Sequence, residues 1–471
     1  MCNGAKMLVV ALGLLAGLLP VIAKNYNITV GYLPCIEGNS KDMQGLAISG
    51  AISMALDNIN NSTEILPDVT LLLQWNDTQC DTLTTTRLLT NMVSSGAVAF
   101  FGPEEICETP DVIEKSKNLP MISYKCSDSL VSKAPNFARL EPSVSKITQS
   151  VISLLRYYKW NKFSVLYEET YEKAALTLEN DAKMINMTLN HRRLTDDSWS
   201  HIIQDTKNAT RIYVFFGSTS ALVEMMNTME ALQLFTRGEY MVIFIDMMPY
   251  WPKDPLDYLI PKDRQVCPMT PEFRKRARSL LVVVSSEPES SYENFAKKVQ
   301  EYNSMKPFEF PLPSLENKFS IYAAYLYDSV RLYAAALHNL IEEETIQNHE
   351  TLTYEKLKTI ATDGSRIVSK MITITPFKSV VGNSIRFDEN AHASGNYMVL
   401  GYKPLNHTNS QSFEAIRSNI NCTHSMISFA HFQESTKKFP VYTMNPHLPI
   451  DWPDNVRPED EPSCGFYNEK C

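Results

Sequence analysis

Val69-Thr-Leu-Leu-Leu-Gln-Trp75, then Thr82 to Ser94, then Ala97-Val-Ala-Phe-Phe-Gly-Pro103, is the stretch that decides the fold. Two short apolar runs rich in β-formers flank a segment of helical period, which is the pattern of a βαβ unit. Working outward, Ile28-Thr-Val-Gly-Tyr-Leu33 reads as the strand before it, and Ile48, Ile52, Ala55 and Ile59 recur at helical spacing in between. Met121-Ile-Ser-Tyr124 reads as a fourth strand. Alternation of this kind predicts a mostly parallel sheet flanked by helices.

The rhythm restarts after Glu141-Pro142. A helix over Ile147 to Tyr158 leads into Phe163-Ser-Val-Leu-Tyr167, and further strands are expected at Arg211–Phe216, Tyr240–Ile245 and Leu280–Val284. Met225, Met229 and Leu232 lie between two of these at helical spacing and read as core. A chain of 471 residues exceeds what one core usually serves, so two α/β lobes are expected. Residues 24–142 with about 315–403 would make an outer lobe, and 143–314 an inner one, some of 365–403 crossing back to it. The helix Ser320 to Leu340 puts Tyr322, Leu326, Val330, Tyr333 and Leu337 on one face and would pack on the outer lobe. Six prolines and many charges between Met247 and Arg278 suggest a long loop. Residues 404–471 are polar and proline-rich, with Pro440, Pro446, Pro449, Pro453, Pro458 and Pro462, and read as a stalk.

Residues 1–23 have the form of an export signal: Lys6, the apolar run Met7 to Leu19, and Val21-Ile22-Ala23 before the cut. No later segment is apolar enough to hold the chain in a membrane. Nine cysteines become eight once Cys2 leaves, an even number that suits an oxidising compartment. Zinc is disfavoured, since there is no CxxC or HExxH and the nine histidines are scattered. Sequons at Asn27, Asn60, Asn61, Asn76, Asn186, Asn208, Asn406 and Asn421 mark candidate glycan sites. The formal net charge of −9 becomes −10 without Lys6, a balance that repels nucleic acid and anionic lipid.

No catalytic constellation stands out. There is no GxSxG elbow, P-loop or GxGxxG after a strand, so a secreted hydrolase lacks its nucleophile motif and no cofactor is expected. Glu342-Glu343-Glu344 reads as a solvated helix end. Ligands of open α/β sheets sit beyond the carboxyl ends of the strands. The residues there are Glu104, Ser123, Tyr124, Tyr167, Glu168, Gly217, Ser218 and Asp246; the plainer reading makes Ser123 and Ser218 caps of the following turns.

Gly45-Leu-Ala-Ile-Ser-Gly-Ala51, Phe101-Gly-Pro103, Pro120–Cys126, Arg237–Asp246, Ser320–Asp328, Gly382–Asp388 and Glu461–Cys471 together resemble the extracellular ligand-binding region of receptor guanylyl cyclases, nearest the invertebrate branch. The resemblance spans Asn27 to Cys471. It implies a two-lobed type I periplasmic-binding-protein (Venus-flytrap) fold, a homodimer, a peptide or other extracellular ligand, and one membrane helix leading to a cyclase that makes cGMP from GTP. On this resemblance Cys80 pairs with Cys107 and Cys464 with Cys471, leaving Cys267 with Cys422 and Cys35 with Cys126. It also implies a chloride on backbone amides after Gly102-Pro103, which Glu104 and Glu105 argue against. The absence of an anchor then reads as truncation at Cys471. A secreted soluble ligand-binding or decoy protein of the same fold is the alternative, and about 20 apolar residues beyond Cys471 would decide between them.

Overall fold

The structure is a computed structural model describing residues 24–38, 43–104, 117–126, 134–194, 198–248, 250, 254–261, 270–311, 320–348, 351–405, 422–435 and 438–471. The export signal, Asn406, Asn421, Cys107 and Cys267 lie outside them. The outer sheet holds β1 (Tyr26–Tyr32), β2 (Val69–Trp75), β3 (Ala97–Phe101), β4 (Met121–Ser123) and β5 (Phe137–Arg139). Its order is β2-β1-β3-β4-β5 and every pairing is parallel. Parallel strands require crossovers that cover both faces, which is why β3 is an unbroken apolar run with all five residues buried.

Helices Gly50–Asn60, Tyr292–Ser304 and Tyr322–Asn348 cover one face through Ile52, Ala55, Tyr292, Phe295, Val299, Leu326, Val330 and Tyr333. Helix Thr82–Ser94 covers the other with Leu89 and Met92. The expected inner-lobe limit at 314 is therefore corrected: Tyr292–Ser304 already belongs to the outer core. At Gly50 two helices approach so closely that a Cβ would collide with the Val299 carbonyl, and the Gly50 N–H donates to Asn303 Oδ1 at 2.5 Å.

The inner sheet is mixed. β6 (Lys162–Tyr167), β7 (Thr188–Arg193), β8 (Ile212–Phe216), β9 (Met241–Ile245) and β10 (Leu280–Ser285) run parallel. After a small hairpin, β11 (Phe377–Lys378) with β12 (Ser384–Ile385), the chain returns as β13 (Tyr397–Pro404), β14 (His424–Gln433) and β15 (Val441–Met444), antiparallel on the edge of β10. The crossing back allowed for residues 365–403 thus takes place, at the approach to Tyr397.

The stalk expected over 404–471 is also corrected. In β14, Met426, Phe429, Ala430 and Phe432 are buried in the inner lobe's cores, the pairing with β13 skipping Phe429, and Pro440 falls just before an edge strand, where its missing N–H costs nothing. Beyond β15 the chain stays on the lobe. Trp452 packs edge-on to Tyr158, the Trp160 indole N–H donates to Pro458 O at 2.8 Å, and the Asp460 carboxylate accepts the N–H groups of Asn161 and Lys162. The loop expected between Met247 and Arg278 contains a short helix, Pro271–Arg278, whose first turn is capped by Thr270 Oγ1 accepting from Phe273 N.

Cys35 is bonded to Cys80, with Cα atoms 5.2 Å apart. This overturns the expected Cys80–Cys107 and Cys35–Cys126 pairs. The reason lies in the sheet: β1 and β2 are neighbours, and their ladder continues past Tyr32 and Trp75 through Asn76 N to Tyr32 O and Thr78 N to Pro34 O. Two cysteines just beyond the ends of adjacent strands meet. Closing a loop of 45 residues stabilises by roughly 4 kcal/mol in the chain-entropy account. Cys464 is bonded to Cys471, and Cys126 and Cys422 are disulfide-bonded as well.

Two outcomes check this architecture. Peptide mapping without reduction should recover Cys35 joined to Cys80; a Cys80–Cys107 peptide would contradict the β1–β2 neighbourhood. Glycopeptide mapping should find sugar at Asn61 and none at Asn60, because the Asn60 carboxamide both donates to Leu71 O and accepts Leu71 N, at 3.0 and 2.9 Å, whereas Asn61 is exposed.

Candidate functional site

Three chain segments cross between the lobes: Leu140 to Val144, Ser286 to Tyr292, and Ala393 to Tyr397. They are stitched together, since Arg139 N donates to Ala391 O, Ala393 N to Arg139 O, and Ser286 N to Asn396 O. Lys146, on the inner-lobe helix Val144–Tyr157, forms a 2.8 Å ion pair with Asp388 beside the third crossing. Above the crossings lies a cleft of about 430 Å³, within the range of small-molecule sites. Strand ends supply its walls. β5 leads into Leu140 and Glu141, β9 into Asp246 and Met247, and β10 into Ser285 and Ser286.

Tyrosines dominate the remaining wall: Tyr171 and Tyr397 from the inner lobe, Tyr322 and Tyr325 from the start of the long outer-lobe helix, and Tyr250. Glu141 Oε1 accepts the Tyr322 hydroxyl at 2.7 Å. Burial pushes the Glu141 carboxyl up to about 7, against the pull of that hydrogen bond and of Lys125 and Arg139. Asp246 accepts the Tyr258 hydroxyl at 2.7 Å and the Met248 N–H at 3.1 Å. Behind the first crossing, Arg139 Nη2 lies 3.2 Å from His392 Nδ1, and burial with that guanidinium pushes His392 down to about 4. Burial also raises the Tyr325 and Tyr397 hydroxyls above the usual phenol range, so both stay neutral.

Of the sequence candidates, Asp246 lines the cleft. The others lie elsewhere. Glu104, Ser123 and Tyr124 are buried in the outer lobe, where the Glu104 carboxylate accepts from Cys35 N (3.2 Å), Gln44 N (2.6 Å) and the Tyr124 hydroxyl (3.2 Å), with Lys125 Nζ at 3.5 Å. Glu104 lies beside Gly102-Pro103, where the resemblance places a chloride. Tyr167 is buried in the inner core, and Glu168 holds Ser218 N and Oγ, both at 2.9 Å. Ser218 caps the helix Thr219–Ala231 by accepting from Ala221 N, as the plainer reading has it. Ser123 Oγ caps nothing among the described residues.

Sequence reasoning passed over Glu141 and all five tyrosines of the wall, Tyr322 having been placed on a core face. The available signal was Glu141-Pro142 itself: a residue where one lobe ends and the next begins has to border the space between them. Glu343 and Glu344 pair with Lys370 and Arg366 on the outside of the outer lobe. Among the described residues no group of three His, Cys, Asp or Glu is placed to hold a metal, and no helix is long and apolar enough to cross a membrane.

Residues 47–404 match the family described as the receptor family ligand binding region. The chain belongs to that family. This ligand-binding region is 41% identical to the receptor-type guanylate cyclase Gyc76C of Drosophila melanogaster, over 94% of this chain and 30% of the relative. It is 26% identical to guanylate cyclase 32E of the same fly, over 90% of this chain and 35% of that protein. The resact receptor of Arbacia punctulata is 23% identical, over 92% of this chain and 46% of its own length. The chain thus spans between about a third and a half of these relatives, and it corresponds to the extracellular ligand-binding region of receptor guanylate cyclases.

The raised Glu141 carboxyl gives a sign-definite prediction for the ligand-binding region. Its folded form holds a proton that the unfolded chain would release near its ordinary value of 4.5, so the stability it confers is complete in acid and is lost as pH rises through about 7. Glu141→Gln should therefore stabilise the chain at pH 8 by something on the order of 2–3 kcal/mol and change little at pH 4.5, read by denaturant unfolding at both pH values. A variant equally destabilised at both would contradict the placement of Glu141.

Proposed function

We propose that the chain is the extracellular ligand-sensing half of a single-pass receptor guanylyl cyclase, acting as a homodimer, with the cyclase that makes cGMP from GTP in a part of the protein beyond these residues. The chain itself has no enzymatic role. The observation that carries this reading is the family match over 47–404, which covers both lobes and all three crossings that floor the cleft.

The geometry supplies a mechanism. Two sheets, each with its own core, are joined by the crossings that line the cleft, so an occupant that touches both lobes favours one lobe separation over others. The described residues from β13 to Cys471 are fastened to the inner lobe by sheet pairing, by Trp160 and Trp452, and by Asp460. A shift of that lobe then carries the C-terminal end of the chain with it towards the membrane. The ligand is a peptide or another extracellular molecule, taken in the cleft or at the dimer interface.

The test has two parts. The transcript beyond codon 471 should encode about 20 apolar residues followed by a cyclase domain; a stop codon there would favour a secreted, soluble ligand-binding protein. Light scattering of the glycosylated chain should show a dimer, and a strict monomer under all conditions would contradict the receptor reading.

A further inference from the structure

Pro271-Glu-Phe-Arg-Lys-Arg-Ala-Arg278 carries four cations within five residues, in a chain where acidic residues outnumber basic ones by 53 to 44. Such runs bind polyanions when their charges stay available. The helix Pro271–Arg278 commits two of the four. Buried Arg276 pairs with Glu230 at 2.8 Å and donates to Asn227 and to Leu259 O, while Lys275 donates to Thr236 O at 2.7 Å and pairs with Asp454 at 3.0 Å. Arg274 and Arg278, one turn apart, have no acidic partner among the described residues, and the buried Arg278 Nε has no acceptor. Like charges at this spacing work against the helix. The negative end of the helix accounts for Arg278 but not for Arg274, a full turn before it.

Both arginines lie near the point where Tyr402 of β13 stacks on His424 of β14, ring centres 5.2 Å apart, with Thr423 Oγ1 2.9 Å from His424 Nδ1. Burial first, then Arg274 and Arg278, hold that imidazole below its ordinary range against the pull of Asp451, so the positive field of the pair reaches it. The apolar side chains here, Phe273, Tyr402 and Met426, are buried, and Leu405, at 39% exposure, is a small contact for a bilayer or a protein partner. An exposed guanidinium holds a single oxyanion weakly, so a free ion gains little. Oxyanions repeated along one polymer meet both planar forks at high effective concentration. We propose that this face of the inner lobe binds a sulfated polysaccharide, its sulfate groups seated on Arg274 and Arg278 beside His424. The choice of polymer over nucleic acid rests on the extracellular placement of the chain, and none of these residues lines the cleft.

The test titrates the glycosylated chain with a heparin dodecasaccharide, the same saccharide desulfated, poly-L-glutamate and phosphatidylserine vesicles, over a range of salt. The sulfated saccharide should bind best, with log affinity falling linearly in log salt. Arg274→Gln with Arg278→Gln should weaken it about tenfold or more and reduce the salt slope by about 1 for each arginine removed. Arg274→Gln alone, at an exposed position, should give part of that loss and a reading independent of the buried Arg278 Nε. Lys297→Gln with Lys298→Gln removes the same charge from the exposed side of the outer-lobe helix Tyr292–Ser304 and should change neither quantity. No binding of the sulfated saccharide, equal binding of the desulfated one, preference for the polypeptide or the vesicles, or equal losses in the arginine and lysine variants would each overturn the proposal. Its failure is separable from failure of the receptor reading. A dimer whose transcript continues into a membrane segment, yet which ignores the saccharide, loses only this surface; a monomer ending at codon 471 that binds it loses only the receptor.

Discussion

Parallel strand pairing is the constraint on which the rest of the molecule depends. A strand that pairs in parallel on both sides leaves the sheet at its carboxyl end and returns through a helix, so all the chain exits of one sheet lie along one edge. Both lobes obey this. β1 to β5 end on one side of the outer sheet and β6 to β10 on one side of the inner, and the crossings join those sides. The cleft follows as a consequence of where the strands stop.

The same constraint explains what surrounds the cleft. Strands buried on both faces spend their apolar residues on the cores, as the five buried residues of β8 and of β9 do, so the polar groups collect just past the strand ends. Glu141 and Asp246 are such residues, one from each lobe. Glu104 and Glu168 are too, but neighbours claim them: Cys35, Gln44 and Tyr124 surround the first, and Ser218 takes the second. A strand end marks a place where a polar residue is permitted. Whether it faces a ligand or a loop depends on which loop folds over it.

That distinction sets the limit of what was legible in the sequence. Runs such as Val69–Trp75 and Ala97–Phe101, and the helix Thr82–Ser94, were readable to the residue because period and burial agree there. Helix Tyr292–Ser304 has an equally plain pattern, but its allegiance to the outer lobe depends on Gly50 and Asn303 meeting across 253 residues of chain. The Cys35–Cys80 bond needed the order β2-β1-β3, which no local pattern supplies. β14 was obscured by the prolines that follow it and by its own broken alternation, since Phe429 and Ala430 are adjacent and both buried where the ladder to β13 shifts register. Tyr322 and Tyr325 fit a core face at the start of the helix equally well, and only the position of the inner lobe turns them into a wall.

The central claim is that one occupant touches both lobes at the strand ends and thereby couples them. Hydrogen exchange of the glycosylated chain, with and without a saturating ligand, tests it most directly. The account predicts slower exchange at Leu140 to Ile147, Met247 to Met248, Ser285 to Ser286 and Asn396 to Tyr397 together, in both lobes at once. Protection confined to one lobe, or absent from the crossings, would contradict it.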